Sequence, residues 1–214
     1  FDIGYTLGAL YEYSDQTRFG IGYRSQVKHK LKGDIKFEGL MLPANQDISA
    51  RITTPANLTI GAYHDINDKW SVMAEFGRTY WSSFDTLDIY GENNGKMSTT
   101  EERWKDTTFY AIGASYQYND QWKFRVGFAV DQSAVGQEYR TPRIPDSDRL
   151  WYSSGIEYKY NDDWTFNLGY TYIRADKGKV KLLGYHDGDN ARGSLQADYE
   201  NDIHILGFGA SYNF

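Results

Sequence analysis

The sequence predicts an all-β, antiparallel transmembrane β-barrel, and three patterns support this prediction. Apolar side chains alternate with small or charged ones at a period of two, which sends them to opposite faces of strands. Aromatic side chains recur beside short turns, as expected for rings that favour the membrane boundary. Short and long connections alternate strictly, which is typical of barrels with short periplasmic turns and long extracellular loops.

The clearest element is a hairpin over residues 107–131 with an Asn119-Asp120 turn. One face of its two strands is apolar and aromatic, and its members are Tyr110, Ile112, Ala114, Tyr116, Tyr118, Trp122, Phe124, Val126, Phe128 and Val130. A soluble sandwich would turn this face into a protein core, whereas a transmembrane barrel would turn it towards lipid. The rings bunch at the turn end of the hairpin and do so again around residues 158–166, which favours the barrel.

Nine strand candidates follow the same alternation. In order, they cover residues 3–13, 18–31, 54–65, 69–84, the two arms of 107–131, 149–160, 163–174 and 206–214. Short turns lie near residues 14–17, 67–68, 119–120 and 161–162, and long polar connections cover 32–52, 86–104, 132–147 and 177–200. The last strand ends in Phe214, which resembles the carboxy-terminal signal by which outer-membrane barrels are recognised for assembly.

Composition agrees with a barrel. The mean hydropathy is −0.67, and no apolar run approaches the roughly 20 residues of a membrane helix. A barrel needs no such run, since only alternate residues meet lipid. The absence of cysteine excludes disulfides and thiolate metal sites, and a net charge of −6 leaves no basic footprint for nucleic acid.

The strand count raises a question of closure. Bacterial single-chain barrels have an even number of strands, because an odd number of antiparallel strands leaves edge hydrogen bonds unmade. Either a strand has been missed or invented, or residues 1–214 form a single domain that is the carboxy-terminal portion of a longer barrel. The second interpretation is favoured.

Several stretches carry a family resemblance. They are Gly8 to Tyr13, Tyr23-Arg24-Ser25, Tyr80-Trp81-Ser82, Trp104-Lys105-Asp106, Phe128 to Val135, Ile144-Pro145-Asp146-Ser147-Asp148-Arg149-Leu150-Trp151 and Asn167 to Tyr172. Together they resemble the long-chain fatty acid transporters of the Gram-negative outer membrane and the related toluene and xylene channels. The segment from Pro145 to Trp151 is the most specific part, and the resemblance covers essentially the whole chain.

This resemblance implies the later strands of a fourteen-stranded barrel, with the amino-terminal hatch and early strands absent. It implies a monomer in the bacterial outer membrane that takes up hydrophobic compounds passively, fatty acids ahead of aromatic hydrocarbons. Membrane lipid and lipopolysaccharide would be the other partners, and nucleic acid would not be one. The alternative is a structural or adhesive barrel whose extracellular loops bind a partner or a phage.

A fatty acid needs an apolar groove for its tail and a cation for its carboxylate. The candidate ligand-binding residues are Lys96, Arg103, Lys105, Arg125 and Arg149. The resemblance implies a ligand-binding lysine a few residues before the strand that opens at Trp104, and the matching position here is Thr100. Either Lys96, Arg103 or Lys105 takes over that role, or the role is lost with a change of substrate. The simpler interpretation is that lumen cations pair with nearby carboxylates in a structural network.

Enzymatic interpretations are weak. The histidines, which are His29, His64, His186 and His204, show neither triad-like nor metal-ligand spacing. The sequence therefore predicts no catalytic residue, no metal site and no cofactor.

Overall fold

The computed structural model describes residues 1–36, 46–92, 95–184 and 193–214. Its regular structure is antiparallel β-strand, apart from one short 3₁₀ helix at Trp81–Ser83 in the described ranges. The predicted all-β, antiparallel fold class is therefore confirmed. None of the helical structure in these ranges is long and apolar enough to cross a membrane.

The described residues contain fifteen strands. In chain order they are β1 (Thr6–Ser14), β2 (Thr17–Arg24), β3 (Val27–Ile35), β4 (Gln46–Thr54), β5 (Asn57–Asp65), β6 (Trp70–Thr79), β7 (Thr86–Tyr90), β8 (Lys96–Glu101), β9 (Thr107–Gln117), β10 (Trp122–Asp131), β11 (Arg149–Lys159), β12 (Trp164–Ala175), β13 (Gly178–Leu182), β14 (Leu195–Tyr199) and β15 (Asp202–Tyr212). Nine of them form one sheet, in the order β1-β2-β5-β6-β9-β10-β11-β12-β15. These nine correspond to the nine strand candidates of the sequence.

The short turns share one hydrogen-bonding arrangement. The side-chain oxygens of Asn67, Asn119 and Asn161 each accept the backbone N–H groups of the residues two and three positions later, at 2.7–3.1 Å. The Ser14 hydroxyl accepts the corresponding two N–H groups in the first turn. Such side-chain turns set the register of the strands that follow.

Rings pair across the strands directly after these turns. The ring centroids of three cross-strand pairs lie 4.4–4.9 Å apart, and these pairs are Trp70 with Tyr116, Trp122 with Tyr158 and Trp164 with Tyr212. Among the described residues no layer covers the apolar face of the sheet, since Ile112 and Val126 remain 64% and 62% exposed. A dry sandwich core is thereby excluded, and the face is suited to hydrocarbon.

The predicted strand over residues 18–31 is wrong in its second half. β2 ends at Arg24, and β3 starts at Val27 in a different sheet. Between them Ser25 is buried, and it exchanges two 2.9 Å hydrogen bonds with the backbone of Tyr5. Pro55 faces this point from the returning chain and has no N–H for the ladder, so the pairing breaks there.

Three of the long polar connections contain strands that the alternation did not predict. β3, β4, β7 and β8 form a four-stranded sheet, and β13 pairs with β14. The predicted strand at 69–84 ends earlier, at Thr79. These hairpins extend beyond the membrane-facing sheet, where no lipid requires an uninterrupted apolar face.

The buried apolar residues lie at the long-loop end of the sheet. They include Ala129 and Ile173 on the inward face, Ala134 and Val135 in the segment after β10, and Val180 and Leu182 in β13. Arg140, itself buried, donates to the carbonyl oxygens of Asp146, Lys179 and Val135 at 2.6, 2.9 and 3.4 Å. This end is therefore a packed cap on the inner wall.

Candidate functional site

Glycines run across the inward face of the nine-stranded sheet. Gly113 lies opposite Gly127, and Gly169 lies opposite both Gly155 and Gly207. Glycine has no side chain to project from a strand, so these positions leave a depression along the wall.

Two cavities continue along this depression. One, of about 490 Å³, is lined by inward-facing residues that include Leu10, Arg18, Met73 and Ala111. The other, of about 560 Å³, is lined by residues that include Arg125, Asn167, Gly155, Gly169 and Gly207. Met73 and Gly113 line both cavities, so we treat them as one feature, the glycine groove. The groove combines an apolar floor with an arginine in each half.

Arg18 is the cation that sequence reasoning missed. Its guanidinium lies 4.3 Å from the centre of the Tyr63 ring, a cation–π contact. Within the described part of the chain, no carboxylate lies within ion-pair distance of it. The sequence contains a signal for this position, because Arg18 alternates with the apolar residues and so lies on the same face of its strand as Gly20 and Gly22.

The predicted site residue Arg125 lies in the groove but is already paired. Its guanidinium forms an ion pair with Glu157 and donates to the Asn167 side-chain oxygen at 3.4 Å. This geometry fits the simpler interpretation of a structural pair.

Arg149 is also held in place. It donates to Asp131 and to Asp146, both at 2.9 Å, and Asp148 accepts the Ser133 backbone N–H at 2.7 Å. The Pro145-to-Trp151 segment thus ties the loop after β10 to the start of β11, which indicates a structural role.

Lys96 lies apart from the other candidates, in the four-stranded sheet. Its ammonium is 3.2 Å from Asp88. A hydrogen bond from the Thr99 hydroxyl, reinforced by Lys96, lowers the pKa of the Asp88 carboxyl. Thr100, which matches the family lysine, is buried in β8.

The structure brings Arg103 and Lys105 together around Tyr139. The Arg103 guanidinium lies 5.5 Å from the centre of the Tyr139 ring and 3.3 Å from Glu101. Lys105 is exposed and lines a cavity of about 690 Å³ with Tyr139 and Lys181. We call this cavity the outer pocket.

Arg103 has a strained backbone. Its φ is +41°, a left-handed value that a side-chain-bearing residue rarely adopts. The carbonyl of Asp85 holds it there by accepting the N–H groups of Glu102 and Arg103 at 2.8 and 2.9 Å. Strain of this kind persists where the surrounding structure imposes it and is concentrated at functional sites.

The described histidines make simple polar contacts. His64 bonds Thr17 at 2.8 Å, His204 bonds Tyr170 at 2.7 Å, and His29 bonds Asp2 at 3.0 Å. His186 lies outside the described residues. In the described ranges, no cluster of three or more histidine or carboxylate side chains could hold a metal ion.

Comparison with known proteins gives one consistent family. Its sequence model, described as "Outer membrane protein transport protein (OMPP1/FadL/TodX)", matches residues 1–214. The long-chain fatty acid transport protein of Escherichia coli O6:H1 is 30% identical over 226 residues, covering 99% of this chain and 49% of that protein. Outer membrane protein P1 of Haemophilus influenzae is 29% identical over 222 residues, covering 99% and 46%. The chain thus spans about half the length of these relatives.

Solved structures agree. A FadL homologue of Pseudomonas aeruginosa superposes with a TM-score of 0.86 at 26% identity, covering 98% of this chain and 52% of that one. The Pseudomonas putida toluene transporter TodX, at 22% identity, has the same fold with a TM-score of 0.62, covering 97% and 48%.

The strain at Arg103 can be tested by stability. We expect Arg103→Gly to be more stable than Arg103→Ala by about 1 kcal/mol, because only glycine adopts positive φ freely. Urea unfolding of the folded protein in detergent micelles measures the difference. The same two substitutions at the exposed loop residue Arg143 are the control and should show no advantage for glycine. Equal stability of the two Arg103 variants would contradict the assignment.

Proposed function

Because the chain belongs to the outer membrane protein transport family of FadL and TodX, we propose that it forms part of a channel for passive uptake of hydrophobic compounds, long-chain fatty acids first. Membership confirms the resemblance found in the sequence and places the chain in the outer membrane as an integral β-barrel protein. The observation that carries the proposal is the glycine groove, which Arg18 lines without a carboxylate of the described residues within ion-pair distance.

The groove suits an amphiphile. An alkyl tail can lie along the glycine floor against Leu10, Met73 and Ala111, where it replaces water at apolar surface. A carboxylate can meet Arg18, whose guanidinium retains its hydrogen-bond donors while it stacks on Tyr63. Arg125 is less suited to bind a ligand carboxylate, because it already forms an ion pair with Glu157. Diffusion along such a wall requires no energy source.

The outer pocket provides a capture site before the groove. Lys105 and Lys181 supply positive charge, and the Tyr139 ring supplies apolar surface. Arg103 reaches the same ring from a backbone held in one conformation. We propose that a ligand first meets Arg103 and Lys105 here.

The two edges of the sheet support a proposal for how the barrel closes. All residues of β1 and β15 are exposed, and within the described residues these two strands do not pair with each other. As the first and ninth strands of an antiparallel sheet, they run in the same direction. An odd number of additional strands between them would satisfy both edges. We therefore propose that residues 1–214 are the carboxy-terminal portion of a longer barrel, and the match to about half the length of the relatives supports a longer barrel.

Other functions have less support. The relatives named above are transporters and an outer membrane protein, and we propose no catalytic activity for this chain. A purely structural or adhesive barrel would more naturally fill its inner wall with paired side chains. The groove instead leaves that wall open at the glycines.

The groove is tested by filling it. Space around Gly169 is open, with no atom within 4 Å of an added Cβ, so Gly169→Leu should fold but obstruct the groove. We expect fatty-acid uptake by cells to fall about tenfold, since the leucine side chain would occupy space that the alkyl tail needs, and a tenfold loss corresponds to about 1.4 kcal/mol. Gly22→Leu is the control, because Gly22 faces equally open space outside the groove. Unchanged uptake through a correctly assembled Gly169→Leu barrel would reject the groove as the route.

Arg18 is tested by its charge. Arg18→Gln should lower uptake of a long-chain fatty acid about tenfold and leave uptake of toluene unchanged, since only the acid has a carboxylate to pair. Arg24→Gln, on the same strand and face, is the matched control. Uptake of labelled oleate and of toluene by the same cells gives the comparison. An equal effect on both compounds would indicate a structural role for Arg18.

The outer pocket is tested by a double substitution. Replacing Arg103 and Lys105 together with alanine should lower fatty-acid uptake several-fold, since both cations near Tyr139 are lost. Assembly, followed by heat-modified mobility on gels, should be intact. Normal uptake by the double variant would discard this pocket.

A further inference from the structure

We propose that the lipid-facing surface contains a binding site for one lipopolysaccharide molecule. The site is a cleft of about 560 Å³ lined by the side chains of Tyr152, Ser154, Tyr170, Tyr172 and His204. We call it the tyrosine–histidine cleft. Its tyrosine and histidine side chains belong to the opposite phase of the strands from Arg125 and Asn167 of the glycine groove, while Gly127, Ser153 and Ser154 lie in the wall between the two and line both.

The cleft faces the membrane. Tyr152, Ser154 and Tyr170 share the phase of Ile156 and Leu168, which form the exposed apolar face. The opposite phase of the same strands holds the groove residues Gly155 and Gly169. Whatever fills the cleft must therefore come from the bilayer.

The cleft lies at the extracellular level. β12 ends at Ala175 and β15 starts at Asp202, and both ends adjoin the long connection that carries β13 and β14. His204 is two residues inside β15, or about 7 Å along the strand. Lipid at this depth belongs to the outer leaflet, which is built of lipopolysaccharide in Gram-negative outer membranes.

Its geometry differs from that of a simple aromatic girdle. Ser154 is a small residue between Val126 and Tyr170 of the neighbouring strands, so the surface is recessed there. The His204 ring stacks on Tyr172 with centroids 5.0 Å apart, and its Nδ1 is 2.7 Å from the Tyr170 hydroxyl. The recess therefore offers apolar walls for an acyl chain and polar groups for its ester and hydroxyl oxygens.

A cation stands at the outer rim. Arg174 is exposed on the same face as Tyr172, two residues further along β12 towards the extracellular end. It lies opposite Asp202 of β15. Asp202 accepts a hydrogen bond from the Tyr172 hydroxyl at 3.0 Å, and in the described ranges no carboxylate pairs with Arg174 within 4.0 Å. An arginine free at headgroup level is suited to a phosphate, which it can bind through two parallel hydrogen bonds. The combination of recess, hydroxyls and arginine matches an acylated, phosphorylated glycolipid.

The test counts lipid retained by the protein as it is assembled in cells. Protein extracted from outer membranes in mild detergent is examined by native mass spectrometry. About one lipopolysaccharide should remain on the wild-type protein, and Ser154→Phe or Arg174→Gln should each lower its occupancy roughly tenfold. Ala210→Phe and Lys69→Gln are the controls, since they likewise replace a small residue with phenylalanine and a cation with glutamine near the opposite end of the barrel wall.

Each other outcome overturns the proposal. Equal occupancy in the cleft variants and the controls would mean that the cleft holds no specific lipid. Retained phospholipid in place of lipopolysaccharide would assign the cleft to a different lipid class. Folding is confirmed separately by heat-modified gel mobility, so that a misassembled Ser154→Phe variant is recognised and the comparison then uses Arg174→Gln with its control. Fatty-acid uptake should be unaffected by Arg174→Gln, because Arg174 does not line the glycine groove, and this separates the proposal from the uptake route.

Discussion

The need to hydrogen-bond every backbone group within hydrocarbon determines the rest of this structure. No water is available there, so the chain pairs each strand with its neighbours along ladders of eight or more residue pairs. Antiparallel pairing permits the short asparagine turns, and these turns fix the register. Register in turn decides which side chains face lipid and which face the lumen.

The same alternation therefore produces both the membrane surface and the proposed passage. Large apolar residues can occupy the outward phase because lipid covers them, and the inward phase is left free to carry glycine and charge. A depression in the inner face of the wall runs over Gly113, Gly127 and Gly169, and Arg18 and Arg125 project from the same face. A groove of this kind needs no separate domain, because the barrel wall itself forms it.

The extracellular end of the sheet is stabilised differently, by buried side-chain packing. There, water can satisfy backbone groups at the surface, and the chain builds conventional buried packing with Val180 and Leu182. Arg140 fastens this packing through three backbone carbonyl groups. The cap is thus the one part of the described chain that resembles a soluble protein, and it supports the loops that carry Arg103 and Lys105.

The nine wall strands, their lipid-facing sides and their turns could be read from the sequence, because a period of two and an Asn-Asp turn are local properties of the chain. The break at Ser25 could not, since Val27, His29 and Leu31 continue the alternation, and the contact of Ser25 with Tyr5 and the place of Pro55 opposite the break become visible only once the strands are paired. The hairpins in the polar connections could not be predicted, because their sequences lack the alternation of apolar residues that a lipid-facing strand shows. The types and phases of the candidate site residues were visible in the sequence, but the ion pairs of Arg125 and Arg149 depend on which strands become neighbours. The same holds for Arg18, which the sequence analysis missed and which stacks on Tyr63 of the neighbouring strand. Which strands become neighbours is decided by the tertiary structure.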